Sequence, residues 1–263
     1  MNEAANSPKK KAAQARKLQL EAEKRRARTT RIVGALVVVV LVAGIIGGAV
    51  IFSNSKTSST AQIDPNAASP TGVSTTTYAY PVRPAKAGVP NVSLWEDFQC
   101  PGCAQFEKLG YSDALIKAAA AGTINLELRP ATFLDQRFPG SDSSSARAAA
   151  AWGCGIDAGK ATEYHSAVFA AQPSQEGTGY TNKQLIEIGR GVGIAGPAAD
   201  TFTQCFEGGK YLGWASNSNV LFSQSGVGGT PATVVNGKEV PWLTPDKRYI
   251  PVADFMKTVL AGG

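Results

Sequence analysis

The chain has few of the side chains from which metal sites are built. Its 263 residues include one histidine, four cysteines and a single C-x-x-C pair, with no second C-x-x-C and no C-x-x-H. Structural zinc sites take four such ligands, so a site here would have to combine Cys100, Cys103, Cys154 or Cys205, and His165. We therefore predict no metal. We interpret His165, in the helical pattern EYHSAVF, as a structural residue at the edge of a helix.

The sequence beyond its first residues also lacks an excess of positive charge. The whole chain carries 26 basic and 20 acidic residues, a net charge of +6. Residues 1–31 alone hold ten of the basic residues against three glutamates, which leaves the remainder at net −1. Nucleic-acid binding needs a basic surface to neutralise phosphates. Despite a pI near 9.1, we predict no nucleic-acid partner.

Residues 32–52, IVGALVVVVLVAGIIGGAVIF, contain no charged side chain. As a helix they span about 32 Å, which matches a hydrocarbon core of about 30 Å. A cleavable signal peptide is the alternative, but its apolar region is usually about 7–15 residues long, and no A-x-A site follows here. Because basic residues stay on the cytoplasmic side, we predict a single-pass anchor in the cell membrane. Residues 1–31 would be cytoplasmic, and everything after residue 52 extracytoplasmic.

The remaining sequence divides into a tether and a folded domain. Residues 53–75 are rich in Ser, Thr, Ala and Pro, which is typical of a flexible linker. For residues 76–263 we predict an α/β domain with these elements in order: a strand over 91–98, a helix over 101–121, a strand over 123–129, a helical subdomain over about 142–225, a hairpin turning at Asn236-Gly237 and a helix over 252–260.

The C-x-x-C pair, Cys100-Pro101-Gly102-Cys103, lies between the first predicted strand and its helix. Disulfide exchange requires a thiolate, and a helix N-terminus stabilises one. We therefore expect Cys100 to be the exposed nucleophile of low pKa. Cys103, one helical turn later, is expected to be buried and to resolve mixed disulfides.

A second motif, Gly191-Val192-Gly193-Ile194-Ala195-Gly196, matches G-x-G-x-x-G. A dinucleotide site needs a strand before this motif, whereas NKQLIEIGR is helical in pattern. We predict no cofactor.

Four segments resemble the DsbA-like form of the thioredoxin fold: WEDFQCPGC, EYHSAVFAAQ, TFTQCFEGGKY and GVGGTPATVVNGK. The resemblance implies that Pro231 is a cis-proline beside the cysteines and that Thr230 presents backbone groups to an extended substrate. It also implies that Phe98, Phe106 and Glu107 line or buffer the site. Glu107 would relay a proton to Cys103, the alternative being an ordinary surface glutamate.

The remaining cysteines, Cys154 and Cys205, lie in separate predicted helices. An even number of cysteines in an oxidising compartment indicates disulfides, and DsbA-like proteins can carry such a bond between helices. We therefore predict a structural disulfide. A second functional pair that passes electrons to the first is the alternative.

The resemblance implies a thiol-disulfide oxidoreductase that introduces disulfides into secreted or membrane proteins and is reoxidised by a membrane redox partner. Strongly oxidising relatives have a histidine between the cysteines where this chain has Pro101-Gly102, so we expect a less extreme oxidant. The alternatives are a reductase or isomerase, for example in cytochrome c maturation, and a redox-inert chaperone or metal-binding module.

Overall fold

One mixed β-sheet organises the described part of the chain, residues 62–263 of the computed structural model. Its strands are β1 (Tyr80–Pro81), β2 (Asn91–Asp97), β3 (Asn125–Ala131), β4 (Ala232–Val235) and β5 (Lys238–Val240). They lie in the order β1-β3-β2-β4-β5. The central strand β2 is parallel to β3 and antiparallel to β4. Its side chains from Leu94 to Asp97 are all buried, as expected for a strand covered on both faces.

Helices flank this sheet and form a separate layer beside it. They are α1 (Pro101–Lys108), α2 (Tyr111–Ala120), α3 (Leu134–Arg137), α4 (Ser144–Asp157), α5 (Ala161–Ala170), α6 (Asn182–Gly191), α7 (Pro197–Glu207), α8 (Leu212–Gln224) and α9 (Val252–Leu260). The chain therefore runs through a β-α-β unit, a block of helices and a β-β-α unit. This order agrees with the predicted α/β thioredoxin fold with a helical insertion.

Two predicted boundaries were wrong. The single helix expected over 101–121 is divided at Gly110, whose φ of 85° lies in the left-handed region that favours glycine. The second strand begins at Asn125 and not at Thr123, because the Thr123 N–H and hydroxyl both donate to the carbonyl of Ala118 and close the end of α2. The strand then continues to Ala131, in register with Asp97. The short strand β1 was not predicted.

The predicted linker over 53–75 extends too far. Asp64 exchanges two hydrogen bonds with the side chain of Asn217 in α8, at 2.9 and 2.8 Å. The Thr71 N–H donates to Asp157 at the end of α4, and Val73 is buried in the core. These few contacts hold the segment on the helical subdomain, and they could not be predicted from its polar composition.

The predicted cytoplasmic segment and membrane anchor, residues 1–31 and 32–52, lie outside the described residues. Among residues 62–263, the structure contains no helix long and apolar enough to span a membrane.

Gly153 in α4 packs against Tyr211 and against Pro70 of the segment over residues 64–73. A Cβ atom there would lie 2.7 Å from the ring of Tyr211 and 3.0 Å from Pro70. Gly153→Ala gains about 1 kcal/mol of helix propensity, but overpacking costs about 1–3 kcal/mol. We expect a net loss of about 1 kcal/mol in the free energy of unfolding, measured by urea titration of the full chain. Gly191→Ala, in open space, is the control and should cause no loss. Equal stability of the two variants would contradict this packing.

Candidate active site

The two free cysteines lie at the junction between β2 and α1. A short turn after the strand is held by the Cys100 N–H, which donates to the Asp97 carbonyl at 2.8 Å. Cys100 is the N-cap residue of α1 and Pro101 occupies the first turn, where a missing N–H costs nothing. Cys100 is half-buried, whereas Cys103 is fully buried. The structure thus places one thiol at the surface and the other beneath it, as the spacing predicted.

The loop before β4 faces this helix N-terminus. The peptide bond between Thr230 and Pro231 is cis, and the Cys100 Sγ lies 3.2 Å from the Thr230 carbonyl oxygen. A Cβ atom at Gly102 would lie 3.3 Å from Pro231 Cδ. The small residue at position 102 therefore permits the close approach of the two segments. The structure brings together Cys100, Cys103, Thr230 and Pro231, which sequence reasoning had assigned to one site.

The two thiols differ in their affinity for a proton. A hydrogen bond from the Cys103 thiol is the main cause that lowers the pKa of Cys100 to about 7, and burial opposes it. Hydrogen bonds from the backbone N–H groups of Gly102 and Cys103 also lower the pKa of Cys100. Burial, followed by the neighbouring Cys100, raises the pKa of Cys103 well above its usual value. At neutral pH the surface sulfur is therefore the nucleophile.

Behind Cys103 lies a buried cluster of Glu96, His165 and Glu107. The His165 Nε2 is 3.3 Å from Glu96 Oε2, and its Nδ1 is 3.4 Å from Glu107 Oε1. Side-chain exposure is 3% for Glu96 and His165 and 10% for Glu107. Burial raises the pKa of Glu96 strongly. The pKa of Glu107 is raised to about 7, mainly by burial and further by the nearby Glu96. Burial lowers the pKa of His165, so its imidazole is neutral.

This cluster also contains the described side chains most suited to holding a metal. One ligand atom from each of the three residues lies within 4.8 Å of the others. Carboxylate oxygens and imidazole nitrogen suit several divalent ions. However, His165 directs its two nitrogens at two different carboxylates, and an ion would use only one of them. These are close contacts and not hydrogen bonds, since both Glu96 carboxyl oxygens, Glu107 Oε1 and His165 Nδ1 have no hydrogen-bond partner among residues 62–263.

Sequence reasoning missed two members of the cluster. Glu96 was treated as an ordinary strand residue and His165 as a residue at a helix edge, but both are buried. A signal for His165 was present, because Ala161, Tyr164 and Val168 share its apolar helix face at helical spacing. Glu107 is only 10% exposed and contacts His165, so it is not an ordinary surface glutamate; its role as a proton relay stays a prediction.

The aromatic residues expected to line the site are core residues. Phe98 packs against Trp152, His165 and Phe169, with ring centroids 4.8–6.1 Å apart. Phe106 is stacked on Tyr111 and is fully buried. The expectation for Phe106 was wrong, because its position on α1 faces the packed interior. Phe98 supports His165 from within the core.

Cys154 in α4 and Cys205 in α7 form a disulfide with a Cα–Cα distance of 6.0 Å. Their sulfurs are therefore not available to the zinc site considered from the sequence. That this bond is purely structural stays a prediction.

A cleft of about 640 Å³ opens beside α1. Its lining includes Pro101, Ala104, Glu107 and Lys108 from that helix and the segment around Phe169 and Pro173. Glu107 therefore connects the buried cluster to a solvent-accessible space.

The fold and site can be compared with known proteins. A family model described as thioredoxin matches residues 85–249, whereas no curated protein matches the chain. Among solved structures, reduced DsbA from Mycobacterium tuberculosis is 28% identical, with a TM-score of 0.50 over 69% of this chain and 98% of that one. MdbA from Actinomyces oris is 20% identical, with a TM-score of 0.57 over 74% and 89% of the two chains. MdbA from Corynebacterium diphtheriae is 22% identical, with a TM-score of 0.55 over 77% and 100%. Both MdbA proteins share the fold.

Alkylation of the reduced chain by iodoacetamide should distinguish the two thiols. Only thiolates react, so labelling of Cys100 should accelerate as the pH rises through about 7, while buried Cys103 stays unlabelled. Mass spectrometry of peptides quenched across a pH series measures both rates. Cys100→Ser should abolish the fast reaction. An inflection near the ordinary cysteine pKa of about 8.5 would contradict thiolate stabilisation at α1.

Proposed function

The chain belongs to the thioredoxin family, and we propose that it is a thiol-disulfide oxidoreductase that donates its Cys100–Cys103 disulfide to proteins outside the cytoplasm. One observation carries this proposal. The Cys100 sulfur lies at a helix N-terminus, 3.2 Å from the Thr230 carbonyl and beside cis-Pro231, with Cys103 buried one turn behind it. This site therefore combines a nucleophile, a resolving thiol and a backbone surface for an extended peptide.

The chemistry requires two exchange steps. A substrate thiolate attacks Sγ of Cys100 in the oxidised enzyme, the Cys100–Cys103 bond breaks, and Cys103 leaves and takes up a proton. A second thiolate of the same substrate then attacks the substrate sulfur of the mixed disulfide, and Cys100 leaves as a thiolate. Two electrons pass to the enzyme and the substrate gains a disulfide. Thr230, half-buried in the loop before β4, would hold the substrate by strand-like hydrogen bonds from its backbone.

The lowered pKa of Cys100, to about 7, favours disulfide donation only moderately, because it lies near that of thioredoxin and far above that of DsbA. A stabilised thiolate stabilises the reduced enzyme, and this makes the disulfide a better oxidant. The similarity to DsbA from Mycobacterium tuberculosis supports thiol-disulfide exchange as the general class of reaction. Pro101-Gly102 offers no cationic side chain to stabilise the thiolate further, so we propose a moderate oxidant.

The proposed location rests on the sequence of residues 1–52. An apolar span after ten basic residues would hold the domain at the outer face of the cell membrane. Its substrates would then be secreted or membrane proteins with cysteines. A membrane redox partner would take the two electrons from Cys100 and Cys103 and restore the disulfide.

Cys103→Ser should accumulate mixed disulfides in cells. Cys100 keeps its nucleophilic sulfur in this variant and attacks substrate disulfides, but Cys103 can no longer displace the partner from the mixed disulfide. Non-reducing electrophoresis with an antibody to the chain should show adducts that disappear on reduction. The matched control is Cys100→Ser/Cys103→Ser, which should form none. Absence of adducts from Cys103→Ser would contradict the catalytic assignment.

The resting state of the wild-type chain tests the direction in the same cells. Acid quenching and a thiol-reactive mass tag report whether Cys100 and Cys103 are free. A disulfide donor should be mainly oxidised, whereas a chain held mainly as the dithiol would favour the reductase alternative.

A further inference from the structure

Helix α1 begins without the side-chain cap that commonly closes a helix N-terminus. Its N-cap residue, Cys100, makes no capping hydrogen bond, and Pro101 at the next position has no N–H. The first available N–H groups, those of Gly102 and Cys103, are therefore left to the Cys100 sulfur. Because α1 has only eight residues, its geometry depends on how this uncapped first turn is held.

The side chain of Gln172 binds the backbone at this point. Gln172 follows α5, and its Nε2 donates to the Phe98 carbonyl at 2.8 Å and to the Cys100 carbonyl at 3.1 Å. A side-chain amide nitrogen has two hydrogens, so both are used on these two carbonyls. The Cys100 carbonyl also accepts the first backbone hydrogen bond of α1, from the Ala104 N–H at 3.1 Å. Gln172 therefore holds the peptide group through which Cys100 enters the helix.

The linker between α5 and α6 keeps Gln172 in place. The Gln172 N–H donates to the Phe169 carbonyl in the last turn of α5, and Pro173 follows, which prevents the helix from continuing. Tyr180, near the end of the same linker, donates from its hydroxyl to the Phe98 carbonyl at 2.9 Å. Two side chains of the linker thus contact the turn between β2 and α1. Of these two, Gln172 is the one that donates to Cys100.

Cys100 is contacted at two atoms by two different segments. Its sulfur lies 3.2 Å from the Thr230 carbonyl oxygen, and its own carbonyl accepts from Gln172. When the sulfur is a thiolate or is bonded to a substrate, it has no proton to donate to Thr230. The hydrogen bond from Gln172 goes to the backbone and does not depend on the state of the sulfur. It can therefore hold the turn through every step of exchange.

We propose that Gln172 is a positioning residue for the reaction of Cys100: by holding the Cys100 carbonyl, it keeps the N–H groups of Gly102 and Cys103 directed at the Cys100 sulfur. This inference rests on the proposed function, in which Cys100 attacks and leaves as a thiolate. Without the amide of Gln172, the uncapped first turn of α1 frays and its N–H groups turn to water. The thiolate then loses part of its stabilisation.

The titratable groups around Cys100 leave this effect separable. Cys103 on α1 donates to the Cys100 sulfur, and Asp97 on β2 is close enough for the charge of Cys100 to raise its pKa. The loop before β4 presents the Thr230 carbonyl and no titratable group. The linker presents Tyr180, which lies beside Gln172. Replacing Gln172 by an uncharged residue therefore removes two donors and changes no charge.

The test compares two substitutions of Gln172 in the full reduced chain. Gln172→Met keeps a side chain of similar length and Gln172→Ala shortens it, while both remove the amide donors. Gln175→Met, at an exposed glutamine of the same linker, is the matched control. Tyr180→Phe is a second control, because it removes a hydrogen bond to the Phe98 carbonyl and leaves that to the Cys100 carbonyl. Labelling of Cys100 by iodoacetamide across a pH series, read by peptide mass spectrometry, gives the inflection of the rate.

In the wild type and both controls, the inflection should lie near pH 7. In both Gln172 variants it should move towards the ordinary cysteine value of about 8.5. Their labelling rate at about pH 6 should fall at least about threefold, because less of the thiol is ionised. At high pH, where the thiol is fully ionised, their rate should stay within about twofold of the wild type. A residue that only stabilised the fold would leave the inflection unchanged.

Four results would overturn the positioning role. They are an unchanged inflection in both Gln172 variants, a shift in Gln172→Ala alone, an equal shift in Tyr180→Phe, and loss of the folded state in either Gln172 variant by urea titration. The second would assign the effect to packing, the third to general loosening of the turn, and the fourth to stability. If the wild type itself shows an inflection near about 8.5, Cys100 is not a stabilised nucleophile. The proposed function then loses its support, and the role of Gln172 fails with it.

Discussion

Because α1 begins directly after Cys100, the two sulfurs of one short motif have opposite environments. The Cys100 sulfur faces the N–H groups at the helix N-terminus and, as a thiol, donates to the Thr230 carbonyl, whereas Cys103 lies one turn inside the core. Three constraints hold the helix there: the turn after β2, Pro101 in the first turn, and the close approach of Gly102 to Pro231. The difference in pKa between the thiols, and hence the order in which they act, follows from this placement.

Cys103 and the Glu96, Glu107 and His165 cluster are buried together. A fully enclosed thiol cannot exchange its proton with water. Among the ion pairs of residues 62–263, Glu96 and Glu107 are partnered only by His165, so protons must balance most of their charge. The helical subdomain, by supplying His165 from α5, therefore contributes to the site and not only to the fold.

Much of this could be predicted from local sequence. The strand–turn–helix signal around Cys100, the turn at Asn236-Gly237 and the final helix at Val252 all depend on neighbours in the chain. The cluster could not be predicted in the same way, because Glu96, Glu107 and His165 come from three elements that tertiary packing brings together. Burial also reverses the usual expectation for glutamate, which is rarely enclosed unless paired. The docked segment from Asp64 to Val73 was missed because a few specific contacts outweigh its flexible composition.

The central claim is that the environment of Cys100 makes the Cys100–Cys103 disulfide an electron acceptor. The direct measurement is its reduction potential, obtained by equilibrating the full chain with glutathione buffers and counting free thiols by mass tag. Reference values are about −120 mV for DsbA and about −270 mV for thioredoxin. We predict a value between these limits and clearly above about −250 mV. A value at or below about −250 mV would contradict the claim, because the disulfide would then be too stable to be donated.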